Sequence, residues 1–227
     1  MPLEPGVHFF TPALPVHVLQ ANESGPTVIV QAGIHGDEVA GVHALQELIE
    51  GGLAPVRGRL VLIPVMNPPA YRARQRFVSG RLDLNRCFPG DGESADWERR
   101  LARRFMDLVL DERPALVATL HESKKRYDPD VVPSFGQTIV YGVEPRPAVV
   151  DPLVARMNER RRGEDERWDS QYYPVATSST EVIVAATGCV GLCIETWMGF
   201  PEDRRIEMQR EVVGLLLDYF GITEHRP

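Results

Sequence analysis

TVIVQAGIHGDEVAGVHALQELIEGG, residues 27–52, holds a strand, a polar loop and a helix in immediate succession. Residues 27–32 form a short β-branched run that reads as a buried strand. Beyond them, Val39, Val42, Leu45, Leu48 and Ile49 recur at helical spacing, and Gly51 and Gly52 close the helix. Residues 15–21 (PVHVLQA) precede this unit across the turn signals Asn22, Ser24, Gly25 and Pro26, so a hairpin with residues 27–32 is expected.

Downstream the same alternation continues. Strands are predicted at 59–65, 115–120, 138–141 and 190–195, and helices at 97–110, 147–162 and 203–220. Residues 67–92 and 122–136 carry Pro, Gly and Arg with little periodicity and read as long loops, which are usually functional or mobile. Strands alternating with helices predict an α/β domain with a mixed sheet and helices on both faces. A chain of 227 residues suits one such domain, so residues 1–227 are expected to form a single catalytic unit.

In sheets of this kind ligands bind beyond the carboxyl ends of the strands. Four polar features fall at predicted strand ends: His35 with Glu38, Asn67, His121 and Glu195. His-x-x-Glu sets an imidazole and a carboxylate about one helical turn apart, close enough to share a cation. A catalytic zinc takes three such ligands and keeps a fourth position open. Each residue alone has a plainer reading. Asp37 and Glu38 suit any helix N-terminus, His35 and His121 can be ordinary structural residues, and Glu195 can sit in a salt bridge. It is the convergence of separate strand ends on one edge that favours a metal centre.

Composition narrows the partners. The net charge of −7 argues against nucleic acid, despite the five arginines of residues 71–86 (Arg72, Arg74, Arg76, Arg81 and Arg86). In a metal cleft such arginines grip carboxylates. No apolar run approaches a membrane span or a signal peptide. Three cysteines fit a reducing cytoplasm, and Cys189 and Cys193, in CVGLC, read as buried small hydrophobes. There is no Gly-x-Ser-x-Gly elbow to suggest a serine hydrolase.

Gly33-Ile34-His35-Gly36-Asp37-Glu38, then Asn67-Pro68, Arg76-Phe77, Asp83-Leu84-Asn85-Arg86, Leu120-His121 and Ile194-Glu195-Thr196 occur in that order. Together they resemble the succinylglutamate desuccinylase and aspartoacylase family, related to the zinc carboxypeptidases, across roughly residues 27–200. The resemblance implies a carboxypeptidase-like α/β fold and one zinc per chain bound by His35, Glu38 and His121. It implies that Arg76 polarises the scissile carbonyl, that Asn85 and Arg86 hold the substrate's α-carboxylate, and that Glu195 is the general base. The expected activity is amide hydrolysis of a small carboxylate-bearing substrate, an N-acyl amino acid. Carboxypeptidase action on a short or cell-wall peptide is the alternative, and a non-catalytic binding relative a third reading. A homo-oligomer is compatible with all of these. The Arg76–Asn85 spacing is longer than the family pattern, which leaves Arg72, Arg74 and Arg81 as candidates for the carbonyl. The chain also ends soon after its closing helix, so the accessory C-terminal domain of the family is expected to be missing. No residue matches the one that reads the acyl chain.

Overall fold

The structure, a computed structural model, describes residues 1–224. His225 lies outside the described residues.

Among the described residues, eight strands make one mixed sheet. They are β1 (Gly6–Thr11), β2 (Leu14–Gln20), β3 (Glu23–Ala32), β4 (Arg57–Ile63), β5 (Leu116–Ser123), β6 (Thr138–Tyr141), β7 (Asp169–Tyr172) and β8 (Val190–Trp197), in the spatial order β1-β2-β4-β3-β5-β8-β6-β7. The centre, β4-β3-β5-β8, is parallel. Its strands are covered on both faces, which is why their sequences read as nearly unbroken apolar runs. All of β5 is buried.

Six α-helices among the described residues cover the sheet: α1 (Ala40–Glu50), α2 (Pro68–Ala73), α3 (Trp97–Glu112), α4 (Val150–Arg160), α5 (Ser179–Thr187) and α6 (Glu202–Tyr219). Strand side chains alternate between faces. Leu116, Ala118, Leu120, Leu192 and Ile194 pack with α1, α4 and α6. Ile29, Val61, Ile63 and Val117 pack with α3 and with Ile183 of α5 on the other face.

Along this second face the side chains change character toward the carboxyl ends. Ile29 and Val117 are core. One step further, Gln31 donates from Nε2 to Thr119 Oγ1 (3.1 Å) and to Ser179 Oγ (3.3 Å). The next residue on β5 is His121. In parallel pairing His121 is in register with Glu195 and Thr119 with Cys193, so all four side chains share the face that opens beyond α5.

The predicted hairpin does not form. β2 pairs antiparallel with β4, which lies between β2 and β3. Residues 22–26 therefore carry the chain past an inserted strand rather than around a tight turn. β5 and β8 also run on past His121 and Glu195, so His121 sits inside its strand rather than just after it, and Glu195 inside its strand rather than at its last position. The loop expected at 67–92 contains α2, and α5, β1 and β7 were not foreseen from the sequence.

Candidate metal centre

His35 and Glu38 lie in the loop between β3 and α1, and that loop is held from above. Gly36 N donates to Gln75 O (3.0 Å), and a Cβ on Gly36 would fall 1.9 Å from the carbonyl carbon of Ala70. Glycine is required there for the α2 turn to close over the loop. Asn67, expected in the site, instead caps α2 by accepting from Ala70 N (3.3 Å), and it supports the loop by donating to Ile34 O (3.5 Å).

The Glu38 carboxylate sits between two imidazoles. His35 Nδ1 is 2.7 Å from Oε1 and His121 Nδ1 is 2.6 Å from Oε2. All three residues are buried, and one ligand atom from each falls within 4.8 Å of the others. Burial alone would lower the His35 pKa, but Glu38 and Asp83 outweigh it and hold it at about 9. Burial would raise the Glu38 carboxyl, but the two imidazoles hold it well below the usual carboxylate range. His121 goes the other way, lowered first by its burial. The cluster sets one buried carboxylate between two imidazole nitrogens, and a divalent cation replacing the shared protons would draw on all three donors. Two imidazole nitrogens, one carboxylate and an open side facing a cavity fit a catalytic zinc.

His35 Nε2 is buried without a hydrogen bond, and its nearest acceptor is Asp83 Oδ1 at 3.4 Å. That geometry is the carboxylate–histidine pair that orients metal ligands. Asp83 also takes Arg76, from Nε at 3.1 Å and Nη2 at 3.0 Å. Burial would raise its pKa, but His35 and Arg76 hold it well below the carboxylate range. The sequence reading quoted Asp83 without giving it a task. Its signal was contact with His35, which only the fold supplies.

A cavity of about 440 Å³ opens beside the cluster. Its walls include His35, Glu38, His121, Glu195, Arg76, Asn85 and Arg86, whereas Asn67 does not reach it. The other candidate arginines do not. Arg72 faces a different depression, Arg74 stacks on Tyr71, and Arg81 stacks on Trp97 and pairs with Glu98. Asn85 Oδ1 accepts from Ser179 N (2.9 Å) and Oγ (3.2 Å), which leaves its amide NH₂ as the group available to an anion. Burial and then Glu38 push the Glu195 carboxyl up to about 8.

All three cysteines are free. Cys193 is not the buried filler expected: it is partly buried, lines the cavity, and lies 3.5 Å from Glu195 Oε1. Burial, then Glu195, hold its thiol well above the ordinary value, which favours the neutral thiol over the thiolate. Cys189 is also partly rather than fully buried.

Residues 24–128 match the succinylglutamate desuccinylase/aspartoacylase catalytic-domain model. Over that stretch the chain is similar to this family. A 108-residue stretch is 40% identical to the N-alpha-acetyl-L-2,4-diaminobutyric acid deacetylase of Halomonas elongata, covering 43% of this chain and 31% of that protein. The match thus spans about a third of that relative's length. Among solved structures, the tripeptide-bound cell shape determinant Csd4 of Helicobacter pylori has the same fold, with a TM-score of 0.81 at 18% identity over 92% of this chain and 56% of that one. A succinylglutamate desuccinylase from Silicibacter sp. TM1040 aligns over 100% of this chain and 70% of its own, with a TM-score of 0.74 and 24% identity. These structures establish the carboxypeptidase-like fold.

Proposed function

We propose that this protein is a member of that family and a zinc-dependent amidohydrolase that deacylates a small N-acyl amino acid, with residues 1–227 as its catalytic domain. The observation that carries the proposal is the His35–Glu38–His121 donor triangle, one strand away from Glu195, in a cavity also walled by Arg76, Asn85 and Arg86.

A zinc ion held by His35, Glu38 and His121 would lower the pKa of a bound water from ~15.7 toward ~7 and polarise the scissile carbonyl. A dication beside Glu195 would also favour its carboxylate form. In that form Glu195 takes the proton of the attacking water and returns it to the leaving amine. Arg76 keeps donors to spare beyond the two that bind Asp83, and it offers them to the carbonyl oxygen as negative charge develops there. Asn85 and Arg86 hold the substrate's carboxylate, the planar guanidinium suiting that shape. Asp83 fixes the orientation of both His35 and Arg76.

The relative named as a deacetylase supports the amide bond as target. A second reading, carboxypeptidase action on a short peptide, has two supports. The H. pylori Csd4 fold neighbour is described as a D,L-carboxypeptidase, and a cavity of about 440 Å³ falls in the range that holds ligands of drug size, about 300–1,000 Å³. No helix among the described residues is long and apolar enough to cross a membrane, and three free cysteines support a cytoplasmic setting. The test is turnover of a panel of N-acyl amino acids and short peptides, with zinc and with chelator. Chelator-sensitive release of amino acids from the N-acyl set is expected. Cleavage confined to peptides would establish the second reading, and chelator-insensitive cleavage would remove the metal.

A further inference from the structure

Two charged groups of the cavity have neither a task in this scheme nor an ion pair among the described residues, Lys125 and Glu181. Glu181 lines the wall from the first turn of α5. Two other acids of the cavity wall are engaged: Asp37 pairs with Lys124 at 3.2 Å and Glu122 with Arg205. Glu181 has no cation within ion-pair distance among the described residues, and burial is the sole influence on its carboxyl, which it raises.

A plain structural role for Glu181 is available, and the geometry excludes it. Ser178-Ser179-Thr180-Glu181 has the spacing of a capping box. In that motif the glutamate side chain returns to the backbone N–H of the capping serine. Half of it is present: Ser178 Oγ accepts from Glu181 N at 3.3 Å. The reciprocal bond is not made, because Ser178 N donates to Val175 O at 2.8 Å. The carboxylate is turned instead onto Gly142, where a Cβ would fall 1.3 Å from Oε1. Gly142 also lines the cavity. Any side chain at 142 would displace the carboxylate from its place on the wall.

The same helical turn carries Ser179, whose N–H and hydroxyl anchor Asn85. The helix start therefore supports two features of opposite preference: Asn85, beside Arg86, for an anion, and Glu181 for a cation. We infer that Glu181 reads a side-chain ammonium on the substrate, so that the amino acid released is a diamino acid gripped by its carboxylate at Asn85 and Arg86 and by its second amine at Glu181. This inference rests on the deacylase reading of the same cavity.

Binding and turnover separate the two. By calorimetry on the zinc-loaded protein at pH 7, L-ornithine and L-lysine are expected to bind about tenfold or more tightly than L-norleucine, the size of one charge-assisted contact. In Glu181→Gln, which keeps the shape and the backbone cap, that ratio is expected to collapse to near one. A wild-type protein that binds all three alike, or a variant that keeps the preference, overturns the inference. Turnover of the Nα-acetyl forms judges the deacylase reading. Discrimination in binding without hydrolysis would sink that reading and leave the Glu181 contact standing. Hydrolysis without discrimination would sink the Glu181 contact alone.

Discussion

Glu38 binds the centre together, because each of its two oxygens faces a different imidazole. Removing one of the three donors leaves two, short of the three that a catalytic zinc takes from protein. His121→Ala is therefore expected to lower zinc content well below one per chain by elemental analysis, and full retention would end the ligand assignment. Glu195 should behave differently. Glu195→Gln is expected to keep its metal but to lose about 10²–10⁴-fold in kcat, the usual range for a positioned acid–base group. Among the arginines, Arg76→Ala is expected to lose on the order of a hundredfold in kcat, while Arg72→Ala stays near wild type. Equal losses in both would put the carbonyl contact elsewhere. His121 and Glu195 could be singled out in the sequence as candidates because each follows a mostly apolar run, and such a group needs a partner or a task. Asp83 and Glu181 were not legible in that way. Each sits in a polar surrounding where an acid is unremarkable, and its meaning comes from His35 in one case and Gly142 in the other.

Among the elements, α2 has an importance out of proportion to its length. It presses on the ligand loop at Gly36, and Arg76 follows it directly into the cavity. Gly36→Ala places a methyl against the backbone of Ala70, where nothing flexible can yield. Overpacking of this kind costs about 1–3 kcal/mol. A lower Tm, together with weaker zinc retention than in wild type on dialysis against a mild chelator, is the expected result. A variant with normal metal retention would show that α2 does not set the loop. The long helices and central strands were readable because amphipathic spacing and β-branched runs are strong signals. The elements missed were those with weak ones. β7 is four residues, DSQY, at the sheet edge. α5 carries Val182, Ile183 and Val184 consecutively, a run with no helical period. The false hairpin has another cause: local turn residues cannot show that β4 will insert between β2 and β3.

For the molecule as a whole, the centre ties stability to both protons and metal. In metal-free protein, the folded-state pKa of His35, about 9, lies above its ordinary value of 6.5, and that of Glu195, about 8, lies above 4.5. Between each pair of values the folded chain binds more protons than the unfolded chain, so stability falls as pH rises. The His35 contribution is complete below about 6.5 and is lost as pH rises through about 9. The Glu195 contribution is complete below about 4.5 and is lost as pH rises through about 8. Glu38 and Asp83 act in the opposite sense. Their folded-state pKa values are depressed, so their contribution is present above the ordinary carboxylate range and disappears only as pH falls well below it. The neutral-to-alkaline limb therefore belongs to His35 and Glu195. Zinc competes with the proton on His35, so its apparent affinity rises over the same interval. Free zinc at a hundred times its Kd would add about 2.7 kcal/mol, some 5–10 °C in Tm for a chain of this size. Thermal scans from pH 6.5 to 9 are accordingly expected to show Tm falling steadily in chelator, with the gap to the zinc-loaded protein widening as pH rises. Two parallel curves would mean that the metal does not meet His35, and the centre would have to be placed elsewhere in the fold.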